Sequence, residues 1–272
     1  MSDIKQLVEN GRLDEAVSAL TAAVKANPND AASRVSLFEV LCVAGDYDRA
    51  GRQLEVFSQG GQNPEVDLAV QVYRDLLAGE RHRAKVFSGG AAPRFLFPPP
   101  DYVTGALEVV HTLAKAPADA GDKLAAVEEK TPTFKGKLGD TPFSQFRDAD
   151  DRVAAVLELF HGSDYVWLPL AQIASIAITP PRRLRELVWV HAHVETYEGS
   201  GGDVFLPVRY PGSATDTDSE VRLGRRTILE AIEDQVVIGR GRRVFLVDDR
   251  EISMLELGAL EFETAPAAQV AE

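Results

Sequence analysis

The chain has 272 residues, 45% of them hydrophobic and 26% charged, with a formal net charge of −13 from 29 basic and 42 acidic side chains. That length suits one large or two modest domains with a real core, and the acidic balance argues against broad nucleic-acid or anionic-membrane binding, which needs clustered Lys and Arg. One cysteine, Cys42, rules out an intramolecular disulfide and disfavours thiolate zinc. No apolar run approaches the roughly 20 residues of a membrane span, and the N-terminus already reads as polar helix, so the expected location is the cytoplasm.

Residues 1–88 carry apolar stripes at helical spacing. Leu13, Ala16, Val17, Leu20 and Val24 share one face; Asn27-Pro28-Asn29-Asp30 ends that helix and caps the next. Val35, Phe38, Leu41 and Cys42 follow, then Tyr47, Ala50, Leu54 and Phe57. The phrase Gly11-Arg-Leu13-Asp-Glu-Ala16 returns as Gly45-Asp-Tyr47-Asp-Arg-Ala50, Leu7 answers Leu41, and Leu20 answers Leu54. This is the roughly 34-residue period of a tetratricopeptide hairpin, in which Gly permits the tight turn and Ala lets paired helices approach. Gly60-Gly61-Gln62-Asn63-Pro64 breaks the chain before a further stripe, Val66, Ala69, Val70, Tyr73, Leu76 and Leu77. Two hairpins and one helix fall short of the about three repeats a solenoid needs, so the following segment is expected to cover the open end.

Residues 89–145 read as linker and connector helices. Residues 88–100 are extended, and Phe95-Leu96-Phe97 is too apolar for a free tether, so it is expected to dock on the helical layer. Helices follow near 101–116 and 118–130, then a loop rich in Gly, Pro and Thr to about 142. Residues 146–264 read as an α+β domain in which, from about 163, the period changes to two, with six or seven strands at 165–170, 173–178, 187–195, 204–210, 236–238, 243–247 and 252–262; Pro207 inside one of them suggests an edge or a bulge. The expected fold class is α+β: N-terminal tetratricopeptide-like helical hairpins, a helical connector, and a C-terminal mostly antiparallel sheet or small barrel, with 265–272 a flexible tail.

Phe146-Arg-Asp148-Ala-Asp150-Asp151-Arg152 contains the Asp-x-Asp spacing of divalent-metal sites. It also precedes Val153, Val156, Leu157 and Phe160, spaced like a helix face, and capping of that helix by Asp148 or Asp150 is the stronger reading. His191 and His193 share one side of a strand with no third ligand spaced nearby, so an ordinary polar strand face outweighs metal binding. Arg209-Tyr210-Pro211-Gly212-Ser213 and Leu223-Gly224-Arg225-Arg226-Thr227 bracket an acidic, flexible loop at 216–220. Their arginines form an anion-binding nook or, the stronger reading in an acidic protein, pair with the loop acids. Gly239-Arg-Gly241 reads as a hairpin turn rather than a phosphate loop, and Cys42 as a buried structural thiol. Gly-x-Ser-x-Gly, Walker-type and His-Glu-x-x-His patterns are absent, so no catalytic residue, cofactor or metal is assigned.

Asn27-Pro-x-Asp30, Leu37-Phe38-x-x-Leu41, Gly45-Asp46 and Ala50-x-x-x-Leu54-Glu55 are followed in order by Asp148-Ala-Asp150-x-Arg152, Pro180-Pro181, Leu184-Arg-Glu186-Leu187-Val188-Trp189, Arg209-Tyr210-Pro-Gly-Ser213 and Leu223-Gly224-Arg225-Arg226-Thr227. This order resembles the ImpE proteins, also called TagJ or SciE-type, over nearly the full length; residues 112–145 match only loosely. The resemblance implies a non-enzymatic adaptor of bacterial type VI secretion. It also implies two protein partners, the small contractile-sheath subunit and the ClpV-type AAA+ ATPase that recycles contracted sheath. It brings no catalytic residues. In tetratricopeptide hairpins the first helix of each pair faces the groove, and aligning the repeats puts Lys5, Val8, Val35, Glu39 and Cys42 there, a mixed lining suited to an amphipathic helix of a sheath subunit. A second partner surface is expected at Arg222, Arg225 and Arg226. The rival readings are a tetratricopeptide scaffold or chaperone unrelated to secretion, and a metal-dependent hydrolase built on Asp148, Asp150, His191 and His193.

Overall fold

A computed structural model describes residues 2–59 and 63–263; residues 60–62 of the break and 264–272, which include the expected tail at 265–272, lie outside the described residues. The chain opens with helices α1 (Ser2–Glu9), α2 (Leu13–Ala26), α3 (Ala31–Ala44), α4 (Tyr47–Gln59) and α5 (Pro64–Phe87). The first four pair as two hairpins, as the repeat predicts. Their turn glycines take φ of +73° at Gly11 and +74° at Gly45, a region costly for any residue with a Cβ. Asp30 caps α3 by accepting from the Ala32 N–H at 3.1 Å, and Asn63 caps α5 by accepting from the Glu65 N–H at 3.0 Å. Ala16 and Ala50 are completely buried at the helix crossings. Two connector helices follow, α6 (Asp101–Leu113) and α7 (Ala120–Lys130).

The C-terminal half holds β1 (Gly136–Leu138), β2 (Thr141–Phe143), β3 (Phe146–Asp148), β4 (Val156–His161), β5 (Asp164–Pro169), β6 (Ile173–Ile178), β7 (Trp189–Thr196) and β8 (Gly201–Pro207). A short helix α8 (Ser219–Arg222) precedes β9 (Thr227–Ile232), β10 (Val236–Gly241), β11 (Val244–Val247), β12 (Arg250–Ser253) and β13 (Ala259–Phe262). Eight strands form one sheet in the order β2-β1-β13-β6-β7-β8-β4-β5; β9 pairs with β10, and β3 joins β11 and β12. The pairings are antiparallel, as in Val190 opposite Leu206 and Leu159 opposite Val166. The Gly, Pro and Thr-rich stretch before 142 therefore contributes β1 and part of β2 to the sheet.

Several local expectations change. The stripe Val153, Val156, Leu157, Phe160 is not a helix: it folds as one 3-10 turn, Asp151–Val153, followed by β4. Positions 156–160 are buried on both faces of the sheet, which erases the alternation that marks a strand. Asp150 still caps, accepting from the Arg152 N–H at 3.0 Å. Pro207 ends β8, an interior strand, where its missing N–H breaks no ladder. Gly239 to Gly241 lie within β10; the hairpin turns instead at Glu233 and Asp234, whose φ values are 50° and 56°. The acidic loop at 216–220 is structured, since Asp216 accepts from the Asp218 N–H at 2.9 Å and Asp218 caps α8.

The linker docks on the helices as expected, with His82 of α5 2.9 Å from the Ala92 carbonyl and His111 of α6 2.9 Å from the Ala91 carbonyl, and also on the sheet. Arg94 bridges Val166 of β5 in parallel, donating its N–H to the Tyr165 carbonyl at 2.9 Å and accepting from the Trp167 N–H at 3.0 Å. An outermost strand leaves backbone groups unpaired, and the linker satisfies those of β5. One hydrophobic core runs from Val8 in α1 to Phe262 in β13. The helical array therefore ends against the sheet. Close approach at the seam needs Gly79 of α5, where an added Cβ would sit 2.6 Å from the Phe160 ring.

Candidate partner-binding site

A groove of about 810 Å³ lies between α1, α2, α3 and the segment at 181–187. Its apolar lining comes from Ile4, Val8, Leu20, Val40, Leu184 and Leu187. Its charged lining comes from Lys5, Glu9, Glu39, Arg182, Arg183 and Arg225. Pro180 and Pro181 end β6 and release the chain, which winds into a 3-10 turn at Leu184–Leu187. Glu186 accepts from the Arg183 N–H at 3.1 Å and holds the start of that turn. Arg185 pins it to the helical half: the guanidinium pairs with Glu39 of α3 and stacks 4.9 Å over the Tyr73 ring of α5.

Of the residues singled out from the sequence, the structure brings Lys5, Val8, Glu39 and Arg225 together here. Val35 is half-buried outside the lining, and Cys42 is completely buried. Burial pushes the Cys42 thiol well above its ordinary pKa, as a structural thiol requires. The C-terminal end of α3 is closed because Arg209 donates to the carbonyls of Val43 at 2.7 Å and Cys42 at 3.4 Å, and also to that of Arg222. One guanidinium thus serves the ends of α3 and α8, where the helix dipoles favour a cation.

The three arginines expected to form a second partner surface are engaged within the chain. Arg222 donates to Asp14 of α2 at 2.9 Å and holds that carboxyl below its usual range. Arg225 donates to the carbonyls of Glu9 at 2.8 Å and Val8 at 3.0 Å, closing the end of α1, and Arg226 pairs with Asp218 at 2.9 Å. The turn glycines of the repeat serve the same contact. A Cβ on Gly11 would meet the Ser219 Oγ at 2.7 Å, and one on Gly45 would meet the Ala214 Cβ at 2.5 Å.

Beneath this contact runs a buried charge cluster that joins α5 to the sheet. Arg83 donates to Glu158 of β4 at 2.7 Å and to the Arg209 carbonyl at 2.9 Å. Arg243 donates to Asp148 at 2.7 Å and also pairs with Glu158. Tyr165 donates to Glu158, and the Trp189 indole donates to Glu80 at 3.0 Å. Burial pushes the Asp148 carboxyl up to about 6 against the pull of Arg243. Burial also raises Asp150, but the Arg152 guanidinium and the Gly239 N–H outweigh it and hold that carboxyl below its usual range. These carboxylates are saturated by internal donors. His191 and His193 lie on β7, where His193 meets Asp203 at 2.9 Å. Among the described residues no three His, Cys, Asp or Glu side chains converge to hold a metal.

Sequence reasoning missed the Arg182 to Leu187 side of the groove, although Pro180-Pro181 marked where a strand had to stop. It also missed the charge cluster. There the available signal was Glu158 alone in the apolar run Val156-Leu-Glu-Leu-Phe160, because a carboxylate in such a run needs a buried partner.

A short array of tetratricopeptide-type hairpins closed by an antiparallel β half is thus the class to which this molecule belongs. Residues 7–71 match the tetratricopeptide repeat, and residues 140–261 match the family described as ImpE protein. The type VI secretion system accessory component TagJ of Pseudomonas aeruginosa is 32% identical over 264 residues, covering 97% of this chain and 92% of that protein. An X-ray crystal structure of a Vibrio parahaemolyticus protein superposes with a TM-score of 0.87 at 27% identity, over 96% of this chain and 97% of that one. The chain belongs to the ImpE family, which includes TagJ.

Proposed function

We propose that the chain is a non-enzymatic adaptor of bacterial type VI secretion. Its groove takes an amphipathic helix from a contractile-sheath subunit, and the sheath-recycling AAA+ ATPase is a further partner. The open groove between α1, α2, α3 and the 181–187 segment carries this reading. A helix laid in it buries its apolar stripe on Ile4, Val8, Leu20 and Leu187, while its flanks meet the charged rim. The Arg185–Glu39 pair and the Tyr73 stack hold the rim before the partner arrives, which reduces the ordering cost of binding. The secretion context rests on the name of the Pseudomonas aeruginosa relative.

Titration of the purified chain with the small sheath subunit tests this. Lys5→Glu combined with Ser36→Arg should weaken binding at least tenfold while leaving the melting temperature near that of the parent, because both positions line the groove and neither belongs to the apolar core. Unchanged affinity in that variant rejects the groove as the binding surface. The same titration against the ATPase places the second partner.

A further inference from the structure

A second cavity, of about 280 Å³, lies between α6, α7, β3 and the turn at 151–156, and shares no residue with the groove. Ala106, Leu124, Val127, Phe134, Val153 and Val156 make its wall apolar. Tyr102 of α6 lines both this cavity and a neighbouring polar pocket at Glu108, Lys123 and Lys130; it is 6% exposed, and its hydroxyl has no hydrogen-bond partner among the described residues. A buried polar group left unpaired is costly, so this hydroxyl marks a position where an acceptor is missing. Burial pushes the Tyr102 phenol up to about 12, so it remains a neutral donor at physiological pH.

Two charges at the rim are already committed. Arg147 pairs with Asp151, donates to the Asp148 carbonyl at 2.9 Å, and lies 3.9 Å from Glu128. The other Asp151 oxygen accepts from the Val237 N–H at 2.6 Å. The remaining rim charge, Glu128, is exposed and acidic, so an anionic ligand finds no counter-charge here, and the apolar wall favours an uncharged one. Size narrows the class further: apolar cavities of about 150 Å³ take up benzene, so this one has room for a substituted ring but not for a nucleotide.

We propose that this cavity binds a small uncharged aromatic molecule bearing one carbonyl group, with the apolar wall taking the ring and the Tyr102 hydroxyl donating to the carbonyl oxygen. The proposal does not depend on the adaptor reading, because no groove residue takes part.

Acetophenone and ethylbenzene serve as probes, since they share a ring and differ by the carbonyl. Calorimetric titration of the full chain should show saturable binding of both, with acetophenone bound about fivefold more tightly, the worth of one neutral hydrogen bond. Tyr102→Phe should abolish that preference and, by removing the unpaired hydroxyl, raise the melting temperature of the unliganded protein. Thr133→Trp, at an exposed lining position where folding is not at risk, should weaken both probes by closing the mouth. The proposal is overturned by any of four results: no saturable binding, equal affinity for the two probes, a preference that survives Tyr102→Phe, or binding indifferent to Thr133→Trp. A Tyr102→Phe variant that melts lower than the parent overturns it as well, because the hydroxyl then already has a partner such as bound water.

Discussion

At the seam between α5 and the sheet, Arg83, Arg152 and Arg243 are held against carboxylates, and Arg243, Asp148, Asp150 and Glu158 have no exposed surface. At the groove, Arg182 and Arg183 are exposed and make no salt bridge among the described residues. The two regions use the same residue type for different ends. A buried ion pair adds little net stability, since desolvation offsets much of the attraction, but breaking it strands a charge, so the seam fixes how the two halves sit together. A cation at the rim of a groove keeps its water and costs little, so it is free to steer and select a charged partner.

The sharpest way to break this comparison is Arg243→Ala. It leaves Asp148 and Glu158 without their shared guanidinium, and the expected loss is about 3–5 kcal/mol in urea unfolding. A loss below about 1 kcal/mol would mean that the cluster is wetter and looser than its geometry implies. Next in size is Gly79→Ala, which drives a Cβ into the Phe160 ring and should cost about 1–3 kcal/mol by parting α5 from β4.

The third test uses pH. Asp148 has a folded-state pKa near 6, above the ordinary aspartate value of about 4. The folded state therefore binds this proton more tightly than the unfolded chain. The stability it contributes is fully present below about pH 4 and is lost as pH rises through about 6. Asp148→Asn stays neutral throughout, so its melting temperature should fall less than the parent's between these limits. Parallel curves for the two proteins would show that Asp148 does not titrate there.

The smallest effect sharpens the other side. Arg182→Ala with Arg183→Ala should change stability by less than about 0.5 kcal/mol, as for surface positions generally. It should slow association with a partner and flatten the salt dependence of that rate, as read in stopped-flow mixing.

The two regions also differ in how far they could be read in advance. The groove's helical wall followed from the repeat, because Lys5, Val8 and Glu39 sit where first helices of tetratricopeptide pairs turn inward. Its opposite wall did not, because Leu184 and Leu187 come from a 3-10 turn whose position is set by Arg185 reaching Glu39 and Tyr73. Cys42 shares the stripe of Val35 and Phe38, yet Arg209 covers that end of α3. Arg225 and Arg226 pair with the loop acids Glu220 and Asp218, the stronger reading of these arginines from the sequence. Arg222 and Arg225 also hold the protein's own α2 and α1, a long-range contact that no local pattern announces.

By itself the sequence determined the hairpins, their glycine turns, the Asp30 cap and the change to period-two strands, because these are written in residues a few positions apart. The order of its motifs also determined the family. Tertiary structure alone decided which faces meet: Arg225 reaches the Val8 carbonyl across 217 positions of chain, and Arg83 reaches Glu158 across 75. Periodicity marks a face as apolar or polar but carries no address for its partner. That pairing emerges only when the whole chain buries its apolar surface at once.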